Sequence, residues 1–325
     1  MTLPVSQPIT RRAALTGLAA SAALLAGPGR AQAPLGVVAT TGMIADTTRV
    51  VGGDRVAVRA LMGPGVDPHA YRQTRSDIVA LSRADLVLWH GLYLEAQMED
   101  FFGDLSRSRT VVPVADTLPP DLLLAHDDYA DRFDPHVWMD PRLWDLVLTN
   151  IAGALTEADP DGVEVFAANS AAFRSQLLAL AEYGDAVLGT VPEGSRVLVT
   201  AHDAFKYFGR AHGFEVLGVQ GISTESEAGV RRIGELVDTL VSRNVRAVFV
   251  ETSVSDRSVR ALIEGAGAQG HEVVIGGELF SDAMGEEGTY EGTYLGMIDH
   301  NFTTIARALG GTVPDRGMAG MLEAS

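Results

Sequence analysis

Four loop segments carry side chains able to hold a metal ion: GPGVDPHAY with His69, DPHVWMDP with His136, TAHDAF with His202 and GGELFSDAMG with Asp282. The chain has no cysteine. That removes thiolate metal sites, disulfides and thiol catalysis, and leaves imidazoles and carboxylates as the strong ligands. A single loop histidine is ordinarily a solvated or hydrogen-bonded side chain, but the triplet Asp-Pro-His occurs twice, as Asp67-Pro68-His69 and Asp134-Pro135-His136. In each, proline fixes its own φ and pushes the aspartate into an extended conformation, so the imidazole is presented from a stiff turn. The aspartate is placed to orient the ring or a backbone amide.

Positioning such loops requires an α/β fold. From Leu35 onward short β-rich runs alternate with helix-period runs, the pattern of parallel sheets covered by helices. The first half predicts strands at Gly36–Thr40, Val56–Met62, Leu86–His90 and Thr110–Val114, with helices near Ile44–Val51, Arg75–Arg83 and Leu94–Phe102. Asp140-Pro141 reads as an N-cap followed by proline at the first helical position, opening a helix to about Leu155. A stretch from Val163 to about Leu188 has apolar residues Phe166, Phe173, Leu177, Leu180 and Val187 at helical spacing, and predicts one long helix joining two lobes. The second half predicts strands Arg196–Thr200, Glu215–Val219, Ala247–Val250 and Glu272–Ile275, and helices near Ala204–His212, Gly229–Ser242, Asp256–Gln269 and Thr293–Leu309. The expected boundaries are 34–160 for the first lobe, 161–190 for the connector and 191–325 for the second lobe. Binding residues of open α/β sheets gather beyond the carboxyl ends of strands, where all four segments fall. With two on each side of the long helix, an ion touching all four sits in the cleft between lobes.

Residues 1–33 predict an export signal: Arg11-Arg12, an apolar run from Ala13 to Leu25, and Ala31-Gln32-Ala33 as a small-x-small cleavage site. The paired arginine before a weakly apolar, Ala/Gly-rich stretch fits the twin-arginine route, giving a mature chain from near Pro34. The formal charge of −17 becomes −20 once Arg11, Arg12 and Arg30 leave with the signal. Such a surface argues against nucleic acid as a partner. No later stretch reaches the ~18 uninterrupted apolar residues of a membrane helix, and without cysteine a lipid anchor is not expected. The expectation is a soluble periplasmic monomer.

The chain resembles the cluster A-I (TroA-like) solute-binding receptors of manganese, zinc and iron ABC transporters. The resemblance runs from about Val37 to Leu309 through GVDPHAY, DPHVWMDPR, TAHDAFKYFGR, GISTESEAG, FVETSV and GGELFSDAMG. It implies two α/β lobes joined by a long helix, one divalent ion between them, and a membrane permease with its cytoplasmic ATPase as partners. By motif, His69, His136, His202 and Asp282 fall on the four ligand positions. Histidine at 202 keeps zinc open, where glutamate is common in manganese and iron receptors. The stretch AHDDYADRFDPH lacks the long His-rich loop of zinc-dedicated relatives, which keeps manganese open. His90 stands where relatives often show asparagine, and reads as a packing or hydrogen-bonding residue; His212, His271 and His300 read as surface. The rival readings are a periplasmic zinc hydrolase and a metal chaperone or adhesin reusing the fold. Against the hydrolase, four protein ligands are offered, no HExxH helix is present, and Glu225, Glu227 and Glu251 read as structural or as supports of the ligands.

Overall fold

The computed structural model describes residues 33–323 apart from Asp128, so the export-signal residues preceding Ala33 lie outside the described residues. Strands β1 (Leu35–Ala39), β2 (Val56–Ala60), β3 (Leu86–Trp89) and β4 (Thr110–Pro113) form one sheet in the order β2-β1-β3-β4. All its pairings are parallel. Each crossover therefore carries the chain back to the same end, and the strand order reverses direction around β1. That is the crevice where open α/β sheets place their sites. Helices α1 (Gly42–Gly52), α2 (Arg75–Arg83) and α3 (Glu99–Leu105) supply the crossovers. In the second half, β5 (Val197–Thr200) pairs with β6 (Glu215–Gly218), and β7 (Ala247–Glu251) with β8 (Val274–Leu279), again all parallel. β5 runs beside β7. Helices α6 (Lys206–His212), α7 (Val230–Ser242), α8 (Arg257–Ala268) and α9 (Tyr294–Ala308) complete it.

The helices α4 (Pro141–Ala158) and α5 (Val163–Leu188) lie between these halves in sequence. α4 starts as its sequence predicts: Asp140 Oδ1 accepts the Arg142 N–H at 2.9 Å and Pro141 occupies the first turn. α5 has 26 residues and at ~1.5 Å per residue extends about 39 Å. Its buried face, Phe166, Phe173, Leu177, Leu180 and Val187, packs on α1 and α4 from the first half and on α9 from the second. The approach of α9 depends on Gly184, where a Cβ would stand 2.4 Å from Phe302 Cε2.

A hydrophobic core runs without interruption from Val37 and Leu88 through Trp138, Trp144 and α5 to Phe249, Met297 and Phe302. Two further cores fill the second-half sheets and the α2–α3 face of the first sheet. The protein thus has two lobes by its sheets and one interior by its packing, and the chain from Leu35 on is one compact unit. Among the described residues no helix is long and apolar enough to cross a membrane.

Two elements depart from the sequence expectation. α3 begins at Glu99, not near Leu94, because Leu92 and Tyr93 take positive φ (50° and 68°) and a 3-10 turn Ala96–Met98 intervenes. β8 begins two residues later than expected and continues to Leu279. The Gly276-Gly277 pair, which reads as a strand end, is absorbed by a register shift opposite Val248/Phe249. His212 also departs: only 9% exposed, it lies between Phe208 and Phe302 with Nδ1 3.1 Å from Asp185 Oδ1. Its place at the α6 end turns it inward, toward α5 and α9. His271 and His300 are half-buried, their Nε2 atoms bonded to the Val245 and Glu278 carbonyls.

Candidate metal centre

Each predicted side chain leaves a loop at the carboxyl end of the sheets. His69 follows β2, His136 precedes α4, His202 follows β5 and Asp282 follows β8. All four are buried, and one donor atom from each lies within 4.8 Å of every other. His136 Nε2 is 3.3 Å from His69 Nε2 and 3.4 Å from His202 Nε2. Asp282 places Oδ1 3.4 Å from His136 Nε2 and Oδ2 3.3 Å from His202 Nε2. A tetrahedron with bonds of ~2.0–2.1 Å has edges of about 3.3–3.4 Å, so these separations suit a small divalent cation. Asp282 Oδ1 is buried with no hydrogen-bond partner, a carboxylate oxygen that a cation would satisfy. Both carboxylate oxygens face the imidazoles, which offers a fifth donor.

The turns are built as the Asp-Pro-His spacing predicts. Asp67 Oδ1 accepts the His69 N–H at 2.8 Å, and Asp134 Oδ1 accepts the His136 N–H at 3.0 Å. Asp134 Oδ1 also takes the His136 Nδ1–H at 2.7 Å. Glu251, at the end of β7, does both tasks for His202: Oε1 accepts its backbone N–H at 2.9 Å and Oε2 lies 2.5 Å from Nδ1. With Nδ1–H committed to a carboxylate, the Nε2 lone pair of each ring is turned into the site and made more basic. Among the described residues the ring of His69 has no such carboxylate partner.

The ligand loops brace one another across the two halves. Trp138 Nε1 donates to the Ser281 carbonyl at 2.8 Å, and Tyr207 Oη donates to the Asp134 carbonyl at 2.8 Å. His90 Nε2 donates to the Pro135 carbonyl at 2.7 Å, the hydrogen-bonding role its sequence position suggested. Behind it the fully buried Glu95 accepts from Thr40 Oγ1 at 2.6 Å, His90 N at 2.8 Å and Gly91 N at 3.2 Å. Burial pushes its carboxyl up to about 7 against those bonds. Sequence reasoning missed Glu95 and also Thr224 and Ser253, which touch Asp67 and Asp282. Nothing in WHGLYLE distinguishes an acid that folds back onto its own strand end from a solvated one.

The electrostatics follow from burying three imidazoles around one ionised carboxylate. Burial drives His69 down to about 3, so it stays a neutral donor. For His202 burial opposes the charge, but Asp282 and Glu251 outweigh it and hold the ring well above 6.5. His136 is raised in the same way, burial being outweighed by Asp134 and Asp282. Asp282 would be raised by burial, yet His202, His136 and His69 hold it well below its ordinary range. The site is therefore an anionic carboxylate balanced by protons that a cation can displace.

Removing the charge of Glu251 while keeping its shape tests this ring support. Glu251→Gln is expected to lower metal affinity roughly 10–100-fold in a competition titration. A loss under about threefold would mean that His202 needs no carboxylate behind it.

The fold and the site together define a two-lobed α/β receptor for a metal ion. The chain belongs to the ZnuA family, described as "Zinc-uptake complex component A periplasmic", whose model matches residues 37–308. This is a family of ABC-transporter substrate receptors and not of enzymes, and its members work with a membrane permease and ATPase. The chain is 46% identical over 275 residues to the manganese-binding lipoprotein MntA of Bacillus subtilis, covering 85% of this chain and 90% of that protein. It is 45% identical over 273 residues to the zinc-binding protein TroA of Treponema pallidum, covering 84% and 88%. The solved structure of the periplasmic zinc-binding TroA superposes with a TM-score of 0.83 over 85% of this chain and 99% of that one. A manganese-named and a zinc-named relative thus stand at equal distance, and similarity alone does not choose the metal.

Proposed function

We propose that the protein is the periplasmic receptor of a metal ABC transporter, capturing one Mn²⁺ or Zn²⁺ ion as cargo through His69, His136, His202 and Asp282, with Fe²⁺ as a third candidate. The observation that carries this is the convergence of four buried donors, two from each lobe, within 4.8 Å. The lobes are 34–160 and 191–325, joined through 161–190. Three imidazoles and a carboxylate bind Zn²⁺ more tightly than Mn²⁺ by the usual affinity order, so manganese use would reflect availability and the fifth donor at Asp282. Four protein donors leave no open position for a reacting water, which disfavours the hydrolase alternative.

Competition titration of apo protein with both ions tests the reading. Both are expected to bind at one site, Zn²⁺ more tightly, and a chain that takes up neither is no receptor. Metal content of protein taken from its own periplasm then identifies the cargo. The sequence holds no cysteine for thioether lipid attachment, which supports a freely diffusing receptor, unlike relatives named as lipoproteins. Replacing Arg11 and Arg12 with lysine should block export if the twin-arginine route is used; undiminished export would remove that route.

A further inference from the structure

The three histidines are not held alike. His136 and His202 each have a carboxylate on Nδ1, from Asp134 and Glu251. Behind His69, Asp67 gives Oδ1 to the backbone N–H and turns Oδ2 away, to a residue of the other lobe: Thr224 Oγ1 donates to it at 2.5 Å. The His69 turn is therefore fastened by a second-lobe hydroxyl rather than by a carboxylate on its ring.

Thr224 lies in the segment Gly221–Gly229, between β6 and α7, which has no helix or strand. Ile222 is fully buried and anchors its start, while Gly221, Glu225, Ser226, Glu227 and Gly229 are exposed. The segment also borders an open cavity of about 630 Å³, shared with Asp127, Asp203 and Arg232. A second bond ties it to the first lobe, Gln97 Nε2 to Glu225 Oε1 at 2.5 Å, but that pair is exposed and its bond competes with water. The Thr224–Asp67 bond also has a carboxylate as acceptor, and bonds of that kind are roughly twice as strong as neutral ones, but it is partly buried and so competes less with water.

We propose that Thr224 is a positioning residue for His69: through Asp67 it fixes the one ligand whose ring has no carboxylate partner, and so sets how long a captured cation stays. The inference rests on the receptor reading and adds to it a residue that touches no metal. Its signature is kinetic. Capture begins at donors already assembled, whereas escape begins when the most weakly supported ligand swings out, so loosening Asp67 accelerates release more than it slows capture.

The test is stopped-flow release of Zn²⁺ from loaded full-length mature protein into excess chelator, for wild type, Thr224→Val, Thr224→Ser and Gln97→Ala. Valine keeps the shape and removes the donor. It is expected to raise the release rate about tenfold, with capture rate and apo thermal midpoint unchanged within about twofold and 2 °C. Serine restores slow release, and Gln97→Ala changes it less than about twofold. Release from Thr224→Val at the wild-type rate overturns the proposal. So does an equal acceleration by Gln97→Ala, which would assign the effect to general tethering of the loop, and so does a fall in the apo midpoint that parallels the faster release. A wild-type protein that holds no Zn²⁺ overturns the receptor reading itself, whereas one that holds it while Thr224→Val behaves normally overturns only this role.

Discussion

Asp282→Ala is expected to lower affinity for Zn²⁺ on the order of 10³-fold while leaving the circular dichroism of the apo protein unchanged. Structural zinc sites with four ligands bind with roughly 10–16 kcal/mol, so one ligand carries about 2.5–4 kcal/mol, and the charged donor belongs at the upper end. Asp282 is the one donor of the four that meets the cation as an anion, and it is buried. Alanine leaves three neutral imidazoles to compensate a divalent charge in a buried site. His136→Ala and His202→Ala should cost a similar factor, each deleting a ring and leaving the buried carboxylate behind it with only its backbone N–H bond. His69→Ala should cost least, since no buried carboxylate is left unpaired. Competition titration of the four variants gives the order directly. A loss of less than tenfold for Asp282→Ala, or a larger loss at His69 than at His136, would sink the site as drawn.

Affinity is expected to fall as pH drops below the raised folded values of His202 and His136, about tenfold per pH unit for each proton displaced and with at least one proton released per cation bound. His202 is held well above 6.5 by Asp282 and Glu251 once these outweigh the cost of burial. At neutral pH the empty site therefore carries a proton that the cation must displace. Each such proton weakens binding tenfold per unit of falling pH below the folded value. The free-imidazole value alone would place the onset near 6.5, and the paired carboxylates move it higher. His69, driven to about 3, does not compete in this range.

Stability of the empty protein runs differently. Because the folded value of His202 is raised, its contribution is fully present below the unfolded value of 6.5 and is lost as pH rises through the folded one. His69 acts in the opposite sense. Its unfolded ring takes a proton below 6.5 and its folded ring only near 3, so between those values acid draws the protein toward unfolding. Proton release on Zn²⁺ addition in weak buffer, together with titrations at several pH values, checks the binding claim. Affinity that stays flat down to pH 6.5 and falls only below it would contradict it.

Much of this was legible in the chain itself because local rules acted alone. Asp140-Pro141 opens a helix whatever surrounds it, the 3.6-residue spacing from Phe166 to Val187 admits one long helix, and the two Asp-Pro-His turns close on themselves within three residues. His202 and Asp282 had no local geometry to announce them and were placed by family motif, which agrees with where the strands leave them. What stayed hidden is which distant residues pair, even where, as at Glu251, a supporting role was expected. Glu251 reaches His202 across 49 positions and Thr224 reaches Asp67 across 157, and no periodicity encodes such pairings. His212 reads as surface because it sits at a helix end with no motif around it; Phe208 one turn back is local, but Phe302, which closes over the ring, is distant in sequence.

The uninterrupted core limits what the receptor can tell its transporter. Swinging the lobes apart would expose Trp138, Phe302 and the α5 face to water, so a filled and an empty receptor must share nearly one silhouette, and their solution scattering profiles should superimpose. A permease that tells loaded from empty must then read a local change at the donor loops, a signature rather than a shape.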